Sequence, residues 1–315
     1  MSTEKNIIAI GRSRYIYDGI KHMVAKGYNF KAIITEEAYD EYDIKHTDLK
    51  ELAISIGANF FMTKKLDLPE IISLIKENNI RVAISVNWKY TIPMSFLNLF
   101  ECGILNYHLG NLPDYKGNAT VNWTIINGES FINGNIHKMD PELDAGDIIA
   151  RKKIPISRDM YVADILKLAE QDVPELYEKA VAKVLAEPGA YEVKGSVNGM
   201  RCYPRLPEDS QIDWKQSTET IHRLIRASAH PFKGAYSFLN GEKIIIWKAS
   251  IYNPENKYMA VPGHVVAVQK DTKTIRVACG DGLLELQEIE YDGKIMLPAE
   301  FIKSIRVRFK YDANA

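Results

Sequence analysis

NIIAIGRSRYIYDGIKHMVAKGYNFKAIIT, residues 6–35, decides the fold. NIIAIG (6–11) is an apolar run that ends in Gly, YIYDGIKHMVAKG (15–27) reads as a helix stopped by Gly27, and FKAIIT (30–35) reads as a second strand. Strand, helix and strand within thirty residues make a βαβ unit, which pairs its two strands in parallel. Outward from it the alternation continues. DLKELAISIGA (48–58) and LPEIISLIKENN (68–79) repeat apolar residues every three or four positions, and RVAISVNW (81–88) is the next buried strand. A long helix is predicted from Tyr161 to Leu185, with Pro174 interrupting its pattern. The predicted class is α/β, with a Rossmann-like, mostly parallel sheet flanked by helices.

Gly, Pro and Asn accumulate at AEPGAYEVKGSVNGMRCYPRLPEDS, which predicts a linker or hairpin near 187–210. Beyond it the pattern changes to short strands. Ser217 and Thr218 stand where an N-cap belongs, ahead of Ile221, Leu224 and Ile225 on one helical face. GAYSFL and EKIIIWKAS follow, joined by Asn240-Gly241, a strong hairpin signal, and then come GHVVAVQ, TIRVACG and LLELQEIEY. The expectation is two domains: residues 1–204 with the Rossmann-like core, and 205–315 forming a smaller β-rich barrel of oligonucleotide/oligosaccharide-binding (OB-like) type.

Charge and cysteine usage narrow the class. Forty basic residues against 41 acidic give a net charge of −1, which argues against nucleic acid as the main partner. Cys102, Cys202 and Cys279 are odd in number and far apart, so they form neither a disulfide framework nor a CxxC metal pair. The N-terminus enters an apolar strand without the basic region and cleavage site of a leader, and no run is long enough to span a membrane. The expected setting is cytoplasmic, with no membrane association.

The chemistry concentrates in ILNYHLGNLPDYKGNATVNW, residues 104–123. On a strand, side chains alternate between faces, so Asn106 and His108 share one face about 6 to 7 Å apart. An amide N–H can donate to a developing oxyanion, and an imidazole can move a proton at neutral pH. That pair suits acyl transfer. The plain alternative is a strand end whose polar groups are merely hydrated. Downstream, IHKMDPELDAGDIIA (136–150) places Asp140, Glu142, Asp144 and Asp147 in a turn around Ala145-Gly146. Such a cluster suits an exposed loop, yet one carboxylate beside His108 would raise its pKa and fix its ring. Gly11-Arg12-Ser13-Arg14 is not a GxGxxG fingerprint, but it sets two Arg at a helix N-terminus, an arrangement suited to a phosphate or diphosphate.

Taken together, Asn106-Tyr107-His108, Leu112-Pro113-Asp114-Tyr115-Lys116-Gly117 and Leu143-Asp144-Ala145-Gly146-Asp147 resemble the 10-formyltetrahydrofolate-dependent formyltransferase superfamily. The tail from YPRLPEDSQIDW through IHRLIRASAHPFKGAYSF is similar to the C-terminal domain of methionyl-tRNA formyltransferases and their sugar-modifying relatives. The resemblance implies that Asn106 binds the formyl oxygen and the tetrahedral oxyanion, that His108 shuttles protons, and that Asp144 supports His108. It implies 10-formyltetrahydrofolate as the formyl donor, no metal, and a homodimer. Donor binding would fall to Trp88, Tyr90, Thr91, Ile92, Asn118, Asp140 and Leu143.

The acceptor follows from departures within that resemblance. Methionyl-tRNA formyltransferases carry a basic insertion after the second strand, whereas EEAYDEYDIKHTDLK (36–50) has six acidic residues and two Lys, a surface that repels a tRNA backbone. From Arg205 onward 16 Lys and Arg stand against 14 Asp and Glu, a net of +2. The Ser-Leu-Leu-Pro loop and Arg-Gly of those enzymes are replaced within HLGNLPDYKGNATVNW, and glycinamide ribonucleotide formyltransferases lack the β-rich tail. The expectation is a sugar N-formyltransferase acting on a nucleotide-linked deoxyamino sugar for surface glycans, with Gly11, Arg12, Ser13, Arg14, Asn111, Lys116 and Trp123 binding that substrate. The alternatives are a methionyl-tRNA formyltransferase and a non-catalytic folate- or nucleotide-binding module.

Overall fold

The computed structural model describes residues 5–39, 42–253, 255 and 258–311. Its first elements are β1 (Asn6–Gly11), α1 (Arg14–Ala25), β2 (Asn29–Thr35), α2 (His46–Ser55), β3 (Asn59–Met62), α3 (Pro69–Glu77), β4 (Val82–Val86), α4 (Met94–Leu97) and β5 (Gly103–Leu109). There follow β6 (Lys116–Gly117), α5 (Thr120–Ile126), β7 (Phe131–Lys138), β8 (Ile148–Pro155), α6 (Val162–Ala186) and β9 (Arg201–Cys202). The tail holds α7 (Thr218–Ser228), β10 (Ala235–Leu239), β11 (Glu242–Tyr252), β12 (Val265–Val268), β13 (Ile275–Ala278), β14 (Leu283–Tyr291), β15 (Lys294–Met296), α8 (Pro298–Phe301) and β16 (Phe309–Lys310). Two compact units emerge: Met1–Thr120 with Phe131–Pro155 and Leu166–Cys202, and Val121–Ser130 with Ile156–Ile165 and Tyr203–Ala315.

The first unit is the Rossmann-like sheet, in the order β3-β2-β1-β4-β5-β7-β8. Its first five strands are parallel, and β7 and β8 run antiparallel to their neighbours. Strand order reverses between β1 and β4, the kind of place where open α/β sheets bind ligands. There a Cβ on Gly11, whose φ is 136°, would lie 2.0 Å from the Val86 carbonyl, so only glycine lets β1 end this close to β4.

Alternation along the strands builds the core. Ile8, Ile10, Ala32, Ile34, Ala83 and Ile104 pack in one cluster with Ile71 and Ile75 of α3 and with Phe96 and Phe100. Each fully buried Ile contributes roughly 1.5 to 3 kcal/mol relative to exposure, so a one-residue slip of any strand would forfeit several such terms. Gly19 of α1 approaches the Tyr177 ring of α6, and the Tyr177 hydroxyl donates to the Ser85 carbonyl of β4 at 2.6 Å. This anchoring bears on Pro174. The sequence predicts an interruption there, but α6 runs through it as one 25-residue helix. Val173, Leu176, Tyr177, Ala180 and Val181 around the proline are buried, and tertiary packing offsets the lost N–H.

The second unit contains the antiparallel sheet β12-β13-β14-β11-β10-β16, with β15 paired to β14. The two ends of that path meet: His264 bridges Arg308, and Val265 N and Phe309 N donate to the carbonyls of Val307 (3.2 Å) and Gly263 (2.8 Å). The sheet thus curls into a small barrel. Asn240 and Gly241 both take positive φ, 53° and 85°, as a tight turn between β10 and β11 requires. Ser217 caps α7 by accepting from Thr220 N at 3.1 Å.

Where a linker or hairpin was expected, residues 187–206 form no hairpin, and a 3₁₀ turn follows at Pro207–Ser210. The one strand there, β9, pairs in parallel with β6. Cys102, Cys202 and Cys279 are buried and free. Among the described residues no helix is long and apolar enough to cross a membrane.

Candidate functional site

The site is built where β5 meets β7. In their antiparallel register Asn106 faces His137 and His108 faces Asn135, so all four side chains emerge on one side of the sheet. Asp144 joins them from the turn between β7 and β8, with φ 49° and with the Gly117 N–H donating to its Oδ2 at 2.8 Å. His108 Nδ1 lies 3.5 Å from Asp144 Oδ2, and His137 Nε2 lies 3.5 Å from Asp144 Oδ1. Asn106 Nδ2 is 3.1 Å from His137 Nε2. The expected triad therefore closes into a tetrad.

Hydrogen bonds set the ring roles. His137 Nδ1 is 3.2 Å from the Lys138 carbonyl; a proton there leaves Nε2 to accept from the Asn106 amide, which fixes that amide's direction. His108 Nε2 is 2.8 Å from the Tyr115 carbonyl, so the neutral ring donates there and keeps its lone pair on Nδ1, toward Asp144. Asn135, fully buried, donates to the carbonyls of His108 (3.1 Å) and Gly110 (2.7 Å) and holds the backbone on either side of Leu109.

Burial and charge then act in opposite senses. His108 is 7% exposed, and burial pulls its pKa below the ordinary value; Asp144 opposes this, His137 adds to it, and the Tyr115 carbonyl opposes it. Burial raises Asp144, but its neighbours His137 and His108 and the Gly117 N–H together hold it well below the usual carboxylate range. At neutral pH the site contains a carboxylate beside a neutral imidazole. On protonation, both nitrogens of His108 would face acceptors, the setting an imidazolium needs.

The other predicted residues have varied placements. Trp88 and Tyr90 meet edge to face at 5.6 Å, Ile92 is in the core, and Thr91 lies between them in chain order. The Tyr90 hydroxyl donates to Glu36 at 2.7 Å. Asn118 N donates to the Cys202 carbonyl, Asp140 accepts from Glu142 N, and Leu143 is exposed beside Gly117. Arg12 is buried and already paired with Glu36 at 3.1 Å; it also donates to the carbonyls of Glu37 and Asn87 and lies 4.0 Å from the Tyr39 ring centroid. Arg14 pairs with Asp43, and Ser13 Oγ accepts from Asn87. Asn111 joins Phe131 O to Asn133 N, tying the loop to β7. Lys116 is 5% exposed, and its ammonium donates to the carbonyls of Ser196 (2.5 Å) and Asn198 (2.9 Å). Trp123 belongs to the second unit, where its Nε1 donates to the Tyr203 carbonyl at 2.9 Å.

His137 and Asn135 were missed. Their signal was present in Asn133-Gly134-Asn135-Ile136-His137, where polar side chains recur every second residue. Only the pairing of β5 with β7 turns that alternation toward His108.

The Formyl transferase family matches residues 9–181, and the family described as Formyl transferase, C-terminal domain, matches residues 206–306. A methionyl-tRNA formyltransferase of Ruminiclostridium cellulolyticum is 26% identical over 315 residues, spanning 96% of this chain and 97% of that protein. HypX from Aquifex aeolicus, solved with tetrahydrofolic acid, superposes with a TM-score of 0.60 at 17% identity over 95% of this chain; the match spans 47% of HypX, about half its length. An N-formyltransferase from Helicobacter canadensis, solved with folinic acid and dTDP-3-aminofucose, has a TM-score of 0.63 at 17% identity over 89% of this chain and 97% of that one. At such identities the two structural likenesses speak to fold.

Proposed function

The chain belongs to the formyl transferase family, and from that premise we propose that it moves a formyl group from 10-formyltetrahydrofolate to the primary amine of a nucleotide-linked deoxyamino sugar. The observation that carries the transfer chemistry is the setting of His108, a buried neutral imidazole whose Nδ1 faces the Asp144 carboxylate, two strand positions from the oriented Asn106 amide.

We place the donor at the acidic turn. A cleft of about 370 Å3 lies beside the acidic turn, lined by Met139, Ala145 and Val197 together with the charged Lys138, Asp147 and Lys194; of the residues expected to bind the donor it includes Asp140, and its size is usual for small-molecule sites. When bound, the folate supplies the activated formyl carbon. The His108–Asp144 pair takes a proton from the amine as its nitrogen bonds to that carbon, and the Asn106 N–H donates to the oxygen as the C=O pair moves onto it. Asp144 holds the imidazolium. When the oxygen pair returns and the bond to the folate nitrogen breaks, His108 gives its proton to that nitrogen, so the donor leaves as tetrahydrofolate and the ring is restored.

The acidic 36–50 stretch and the near-neutral tail support a sugar nucleotide over tRNA. A diphosphate at the Gly11–Arg14 turn would compete with Glu36 and Asp43 for Arg12 and Arg14. A second reading, a methionyl-tRNA formyltransferase, draws on the 26% identity over nearly all of one such enzyme. Mass spectrometry after incubation with 10-formyltetrahydrofolate and UDP-, dTDP-, GDP- or CMP-linked amino sugars separates the two. One added formyl group on one sugar nucleotide supports the proposal; formylation of methionyl-tRNA alone, with steeply salt-dependent binding, replaces it with the second reading.

A further inference from the structure

We infer that the second unit carries a binding site for an oxyanion, the phosphate or carboxylate group of a small ligand, at Arg158, Arg223 and Arg226. These residues line a cavity of about 380 Å3 together with Ser130, Ser157 and Glu219, and every residue lining it belongs to that unit. None of Asn106, His108, His137 or Asp144 contributes.

Arg223 and Arg226 stand three residues apart on α7, hence on one face, where two like charges repel unless something neutralises them. Glu219 serves the outer pair: it accepts from Arg158 Nη2 at 2.7 Å and from Arg223 Nε at 3.0 Å. Arg226 is left over. It is 3% exposed, its Nη1 donates to the Met160 carbonyl at 2.8 Å, and its Nε is buried without an acceptor among the described residues. No carboxylate of the described residues lies within 4 Å of its guanidinium. A buried guanidinium with one nitrogen bonded and no carboxylate in contact carries a desolvation penalty that the more distant Glu219 offsets only in part. Burial also pulls Arg226 below its ordinary pKa.

The cavity is shaped for an anion. A Cβ at Gly128 would lie 2.2 Å from Arg223 Cζ, so that guanidinium rests against the Gly128 backbone. Three guanidiniums against Glu129 and Glu219 leave the lining charge at +1, and the Ser130 and Ser157 hydroxyls add neutral donors. Planar forks of this kind bind phosphate or carboxylate oxygens in pairs.

Calorimetric titration of the full chain with inorganic phosphate, and separately with acetate, at constant ionic strength against chloride tests the site. Saturable binding of phosphate alone identifies a phosphate-binding site, and saturable binding of acetate a carboxylate-binding one. In either case Arg223→Gln and Arg226→Lys should each weaken it by about tenfold or more. Arg223 is partly exposed and, among the described residues, pairs with Glu219 alone, so its variant keeps the test decisive if Arg226→Lys misfolds. No saturable heat from either anion, or affinities unchanged by Arg223→Gln, overturns the inference.

Discussion

His108 in the first unit and His222 in the second are both more than nine-tenths buried, and each points Nε2 at a backbone carbonyl, that of Tyr115 at 2.8 Å and that of Ala249 at 3.1 Å. They differ in what surrounds the rest of the ring. His108 Nδ1 faces the Asp144 carboxylate, whereas His222 Nδ1 is buried without a partner among the described residues and Arg226 stands one helical turn away. Burial, with Arg226 adding to it, lowers His222 to a pKa of about 4. Burial lowers His108 too, but the carboxylate works against it. Equal burial therefore leaves both rings neutral, and the difference is one of contact: a carboxylate stands 3.5 Å from His108 Nδ1, whereas no carboxylate of the described residues pairs with His222 Nδ1.

The largest test of this contrast is His108→Ala. It should reduce formyl transfer by about 10³-fold, about 4 kcal/mol of barrier, while circular dichroism stays native. A variant with unchanged turnover would make His108 as structural as His222. Next comes His222→Gln. The folded pKa of His222 lies below its unfolded 6.5, so its contribution is complete above about pH 6.5 and is lost as pH falls toward 4, by up to about 3 kcal/mol. Urea unfolding at pH 7 and pH 4.5 should show a shallower loss in the variant; identical slopes would place the acid sensitivity elsewhere.

Asp144→Asn sharpens the comparison from the other side. Turnover should fall by about 10²-fold, roughly 2.7 kcal/mol, and because the lost carboxylate had raised His108, the acid limb of the rate profile should move to lower pH. A limb that moves up, or not at all, would separate Asp144 from His108. The smallest effect is expected at Lys116→Met. Its ammonium fixes Ser196 and Asn198 beside β6, whose Gly117 N–H holds Asp144. Loosening that strand should lower kcat by about tenfold, about 1.4 kcal/mol, with stability nearly intact by thermal melting.

Much of this was legible before any coordinates. Strand, helix and turn signals in 6–88 are local, so the parallel sheet could be read from them, and Asn106 and His108 share a face by strand geometry alone. What the chain hid is nonlocal. Which strand lies beside β5 cannot be read from β5, so His137 stayed out of view. Arg12 reads as a free cation until β2 brings Glu36 to it, and Lys116 as a pocket lysine until residues 196–198 return across it. Pro174 misled for the converse reason, a local rule overruled by packing around Tyr177. Trp123 sits in a short excursion, 121–130, that groups with residues eighty positions later.

The pairing of β6 with β9 has a consequence for anyone who would exchange the barrel between relatives. Residues 191–202 look like a tether and could be discarded with the tail, yet Val193 bridges Ile148, Gly195 N donates to Asp147, and Cys202 O receives Asn118 N. A chimaera joined at residue 187 would import a foreign wall for its own acidic turn, whereas one joined after Cys202 would carry that wall intact with the unit it serves.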